Sequence, residues 1–132
     1  MIKLEVISPG VLKIIAPVKL SADDFAHLAQ KLDSILKHEG KVRVLIDATQ
    51  LDGWDSTAAL EQHAAFVKTH QKRVERIAVI AQHDWQHWLV GAVKVFLHPQ
   101  IRVFDKSAAD QALQWITDRS PKAAETWNTS TV

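Results

Sequence analysis

Cysteine and tyrosine are both absent from the 132 residues, glycine and proline number four each, and neither sign of charge dominates. Without cysteine the chain has no disulfide framework, zinc finger, iron–sulfur site or thiol nucleophile. Seven histidines and the carboxylates are left as the metal ligands it could offer. The same absence suits a reducing compartment. The glycines, Gly10, Gly40, Gly53 and Gly91, stand singly, so neither the glycine-rich turn of a dinucleotide site nor a Walker A loop is present. With 16 Lys plus Arg against 15 Asp plus Glu, the net charge of +1 supplies no basic stripe for nucleic acid. No stretch approaches the ~20 apolar residues of a membrane span. Near the start, Glu5 and Ser8-Pro9-Gly10 interrupt the unbroken apolar run that a signal peptide needs. A soluble cytoplasmic protein is therefore expected.

What is present indicates a packed domain: 47% of the residues are apolar and 23% charged, over a length that suits one core. Two apolar runs, Ile2–Ile7 and Val11–Ala16, flank Ser8-Pro9-Gly10 and predict a β-hairpin. Phe25, Leu28, Ala29, Leu32, Ile35 and Leu36 then recur at helical spacing. Ser21 and Asp24 ahead of them form a capping-box pattern, Leu20 and Phe25 a hydrophobic staple, and Gly40 a stop. Lys41–Asp47 predicts a strand whose Lys41/Arg43 alternation implies partial exposure, and Ala48–Asp55 a loop. A second helix follows from Ser56 to about His70, a buried strand at Val74–Ala81, and a third helix at Asp84–Leu97 stopped by Pro99. A short strand at Ile101–Phe104 and a last helix capped by Ser107 complete the order. The expected fold is α/β, a mixed five-stranded sheet of an N-terminal hairpin plus three parallel crossovers, with four helices. Residues 1–118 make the domain, and 119–132 read as a flexible tail.

In open α/β sheets ligands gather beyond the carboxyl ends of the parallel strands, which here carry Asp47, Trp54, His83, Trp85 and Asp105. His83-Asp84-Trp85-Gln86-His87 has the histidine spacing of a zinc-protease helix, but it lacks the glutamate and a third ligand, so no metal site is assigned. His63 and His70 share an apolar helix face two turns apart, roughly 10 Å, too far for one ion. His63 is either a pocket-lining residue or a buried histidine with a hydrogen-bond partner. No G-x-S-x-G elbow frames a serine nucleophile, and a non-enzymatic protein without cofactor is expected. The third helix is the most informative element. Trp85, Trp88, Leu89, Ala92, Val93 and Phe96 form a stripe that Val90, Val95 and Leu97 widen to roughly 220°, about twice what docking on a sheet requires. The surplus is covered either by a neighbouring helix that sandwiches it against the sheet, or by a dimer partner, an apolar ligand or a membrane surface.

The segment VLIDATQLDGWDSTAAL (44–60) resembles the central motif of STAS domains, in which a strand ends in Asp and an Asp-Ser pair opens a helix eight residues later; here these are Asp47 and Asp55-Ser56. Over about Ile2 to Ile116 the likeness is closer to the bacterial SpoIIAA-like proteins. It is carried by the opening hairpin, VRVLIDATQLDGW, VERIAVIAQHDW and IRVFDKSAADQALQWI. The resemblance implies a STAS-like fold related in shape to CRAL-TRIO lipid-binding domains, in a family for which ligand binding and membrane association have been suggested. It also implies Ser56 as the position that a partner kinase phosphorylates in anti-sigma-factor antagonists. Those proteins continue Asp-Ser with Ser/Thr-Gly-Leu, whereas Thr57 here precedes Ala58-Ala59.

These readings combine into one expectation: a STAS-like module, homodimeric, that binds a small or lipid-like apolar ligand under the third helix and touches the inner membrane peripherally through it. Asp47, Trp54, His63, Trp85, Trp88 and Phe96 are the expected ligand-binding residues. The alternative is a partner-switching regulator phosphorylated at Ser56.

Overall fold

The computed structural model describes residues 1–118, so the expected tail at 119–132, with Trp127, lies outside the described residues. Strands β1 (Lys3–Ser8) and β2 (Val11–Ile15) form the hairpin, with Gly10 at φ 76° in the turn, a conformation open to glycine. After the two-residue β3 (Lys19–Leu20), α1 (Ala22–Glu39) begins with the capping box: Ser21 Oγ accepts from Asp24 N–H at 3.2 Å, and Asp24 Oδ2 accepts from Ser21 N–H at 2.8 Å. Then come β4 (Val42–Asp47), β5 (Gly53–Trp54), α2 (Thr57–His70), β6 (Val74–Ala81), α3 (Asp84–Val93), β7 (Gln100–Asp105) and α4 (Ala109–Thr117).

The main sheet runs β1-β2-β4-β6-β7, antiparallel at the hairpin and parallel elsewhere, which is the mixed five-stranded α/β fold expected. Because each crossover moves the chain one strand further in the same direction, right-handed connections place α1, α2 and α3 together on one face. α4 follows the last strand and covers the other. Pleating then sorts the strand residues. Ile14, Ile46, Val79 and Val103 stand in register toward the three-helix face, and Leu45, Ala78, Ile80 and Phe104 toward α4 with Trp115 and Ile116.

Three expectations are corrected. β4 is not partly exposed: Arg43 is only 8% accessible, because its guanidinium lies under α4 and donates to the carbonyls of Ile116 and Asp118 at 3.4 and 2.7 Å. Arg76 beside it donates to Trp115 O at 3.1 Å and lies over the Trp115 ring, so two cations meet the negative end of α4. The third helix ends at Val93 and tightens into a 3₁₀ turn at Lys94–Phe96 rather than running to Leu97. Ser107 does not cap α4, because Lys106–Ala108 is itself a 3₁₀ turn and no side chain caps the helix.

Candidate functional site

The expected loop Ala48–Asp55 contains β5, which pairs in parallel with β3 through Lys19–Gly53 and Leu20–Trp54. Asp52 N–H donates to Val18 O at 2.7 Å and Asp55 N–H to Leu20 O at 2.9 Å, so this small sheet fixes the Trp54 backbone above the main one. Gly53 sits at φ 134°, which only glycine adopts freely. On the far side, the amino end of α3 is held by Gln86, a buried residue with every amide atom in use. Its Oε1 accepts from the N–H groups of Gln82 and His83 at 2.9 and 3.1 Å, and its Nε2 donates to the carbonyls of Ala48 and Leu51 at 2.7 and 3.2 Å. Gln86 thus ties together the two strand-end loops that lead to Trp54 in β5 and Trp85 in α3.

α1 and α2 pack directly on each other, and α3 lies over β6 and β7. Between them and the sheet is a cavity of about 470 Å³, within the ~300–1,000 Å³ typical of small-molecule sites. Its floor includes Ile46 and Val79, and its α3 wall Trp85, Leu89 and Val90. A chain of aromatic rings forms the side between α1, β5, α2 and α3. Phe25 stacks on His63 at 4.8 Å between centroids, Trp54 meets His63 at 5.7 Å and Trp85 at 6.1 Å, and Phe66 stacks on His70 at 4.4 Å. Trp54 Nε1–H donates to His63 Nδ1 at 3.0 Å. An indole nitrogen can only donate, so Nδ1 is bare and the neutral ring carries its proton on Nε2. Burial pushes the His63 imidazole below the ordinary histidine value, which favours that neutral form.

Besides His63 and the indoles of Trp54 and Trp85, the polar side chains bordering the cavity among the described residues are His70, Gln71 and Gln86. His70 is spanned by Phe66 O at 2.9 Å and Asp33 Oδ1 at 2.8 Å, Gln86 is fully used, and Gln71 Oε1 accepts from His98 N–H in an exposed bond. A second concavity, lined by Leu4, Val6, Gln30, Lys31, Ser34 and Ile35, is an open groove between β1 and α1.

Of the six residues expected to bind ligand, the structure brings Trp54, His63 and Trp85 together. Asp47 belongs to the opposite face of the sheet, since β4 alternates and its even positions face the cavity; its Oδ1 accepts from Thr49 N–H and Oγ1–H at 3.0 and 2.7 Å. Trp88 and Phe96 point outward, 74% and 81% exposed, and with Val95 they leave an apolar patch on the outer side of α3 and its 3₁₀ extension. Ser56 is exposed at the start of α2, where its Oγ accepts from Ala59 N–H at 3.1 Å. His83 precedes α3 and His87 pairs with Asp105 at 3.0 Å; no cluster of three metal-ligating side chains occurs among the described residues.

Sequence reasoning passed over Gln86, Phe66 and the ring of Phe25 as parts of this site. A signal for Gln86 existed: it falls in helical register with Leu89, Val90 and Val93, a single amide inside an apolar stripe. A polar residue so placed needs buried partners.

A family model described as SpoIIAA-like matches residues 11–117. An uncharacterized protein of the DUF3478 family from Shewanella loihica PV-4, whose crystal structure has a SpoIIAA-like fold, superposes with a TM-score of 0.73. Its sequence identity is 28%, over 88% of this chain and 92% of that one. No curated protein matches.

Proposed function

We propose that this chain, which belongs to the SpoIIAA-like family, is a STAS-type, non-enzymatic binding module. Its cavity between the sheet and helices α1 to α3 takes up a small or lipid-like apolar ligand. The observation that carries the reading is the cavity itself, about 470 Å³ of space bordered by apolar and aromatic side chains and by His63, His70, Gln71 and Gln86, each of which already has a hydrogen bond. A protein interior normally closes such space, because atoms facing a void forgo their dispersion contacts; an occupant restores them. The exposed Trp88, Val95 and Phe96 extend the reading to a membrane surface, from which a lipid-like ligand would be drawn. Tryptophan suits the boundary between water and lipid, and no helix among the described residues is long and apolar enough to cross a bilayer. Few cations accompany the patch, so its contact with lipid rests on apolar insertion rather than on anionic headgroups.

Native mass spectrometry of protein purified without detergent or organic solvent is the direct test, with flotation on phosphatidylcholine vesicles beside it. A retained small molecule and flotation that is lost in the double variant Trp88→Ala, Phe96→Ala are the expected results. An empty monomer that ignores vesicles overturns the reading, and a dimer whose interface covers Trp88 and Phe96 replaces its membrane part. The second reading, a partner-switching regulator modified at Ser56, draws on the exposure of that hydroxyl at a helix start, where a phosphate is electrostatically tolerated. Phosphopeptide mapping of protein from its native cell decides it, since an unmodified Ser56 under all growth conditions leaves the switch without a trigger.

A further inference from the structure

The polar atoms that the aromatic wall leaves unused are all donors. Trp54 Nε1–H and His63 Nδ1 satisfy each other. What remains is the Nε2–H of His63 and the Nε1–H of Trp85, neither of which has a hydrogen-bond partner among the described residues. Among the described residues, no Lys, Arg, Asp or Glu borders the cavity. A carboxylate or an ammonium drawn fully inside would therefore lie unpaired in an apolar space, whereas an oxygen that only accepts would complete the wall.

We infer that the cavity selects an uncharged, largely hydrocarbon molecule carrying a carbonyl-type oxygen, which receives the hydrogen bond of His63 Nε2–H while its body lies along Trp54 and Trp85. This rests on the cavity being a ligand site and adds what the ligand must carry. Trp54 has the positioning part. By holding Nδ1 it keeps the proton on Nε2, so the imidazole presents a donor and not an acceptor. Phe25, stacked on the ring, fixes its plane.

The test uses the intact chain and two probes of nearly equal shape, butyrophenone and butylbenzene, titrated and followed by proton–nitrogen NMR of the backbone and histidine rings. The expected result is that His63→Phe lowers the ketone's affinity relative to the hydrocarbon's about tenfold. In the unsubstituted protein the Nε2 resonance of His63 should move with the ketone and not with the hydrocarbon. Binding of both probes with an unchanged ratio and an unmoved Nε2 resonance overturns the inference and leaves the cavity reading standing. Failure of both probes to bind overturns the cavity reading, and the inference falls with it. Should His63→Phe fail to fold, the Nε2 resonance of the unsubstituted protein alone gives the same decision.

Discussion

His63 shows how one side chain takes its chemistry from its neighbours. In sequence it is a histidine on an apolar helix face; in the fold Phe25 covers one side of the ring, Trp54 occupies Nδ1, and the cavity lies beside it. The rings packed against it from α1 and β5 are Phe25 and Trp54, neither of them charged. Burial lowers its folded pKa, so on acidification the unfolded ring takes up its proton first, near the ordinary value of about 6.5. The stability it contributes is complete above that pH and is lost as pH falls through the lower folded value. Urea unfolding followed by tryptophan fluorescence between pH 7.5 and 5 should show wild type losing more stability than His63→Phe over that interval. Parallel losses in the two proteins would place the pH dependence on other histidines.

At the scale of elements, α3 and its 3₁₀ extension divide their apolar surface between two uses. Trp85, Leu89, Val90 and Val93 line the cavity, while Trp88, Val95 and Phe96 face outward. The surplus of apolar residues was legible as a sector wider than a sheet can cover; which of them would be left over depended on how the helix is rotated. That rotation is set by Gln86, whose amide reaches two carbonyls of the 48–51 loop. Replacing it with alanine strands those carbonyls and frees two N–H groups, so Gln86→Ala should cost about 3 kcal/mol in chemical denaturation. It should also raise hydrogen exchange across α3 more than across α1. The missed pairing of β3 with β5 has a similar cause. Each strand is two residues long and carries no periodic signal, and only the tertiary placement of 19–20 beside 53–54 creates the ladder.

For the molecule as a whole, the two sheet faces are unequal. Three helices enclose a cavity on one, and a single short helix makes a dense second core on the other, with Trp115 1% and Ile116 0% exposed. α4 is anchored by charge as well as by packing, since Arg43 and Arg76 donate to carbonyls at its carboxyl end. Arg43→Met keeps the bulk of the stem but leaves those carbonyls with fewer donors. It should cost about 2 kcal/mol and speed hydrogen exchange in α4, while binding in the cavity on the opposite face stays unchanged. A loss of binding as large as the loss of stability would mean that the two faces are coupled through the sheet.

The sequence by itself determined the order of the five main strands and four helices and the parallel crossovers, because hydrophobic period, caps and turn residues act within a few positions of one another; the family was legible in its motifs, such as the one from Asp47 to Asp55-Ser56. It also singled out Trp54, His63 and Trp85. The burial of Arg43, the turning of Asp47 to the far face, the exposure of Trp88 and Phe96, and the gathering of the aromatic rings around one cavity were decided only in three dimensions. Each depends on the pleat of a strand, the rotation of a helix or a hydrogen bond between distant loops. Such features arise where segments far apart in the chain are forced to share one space.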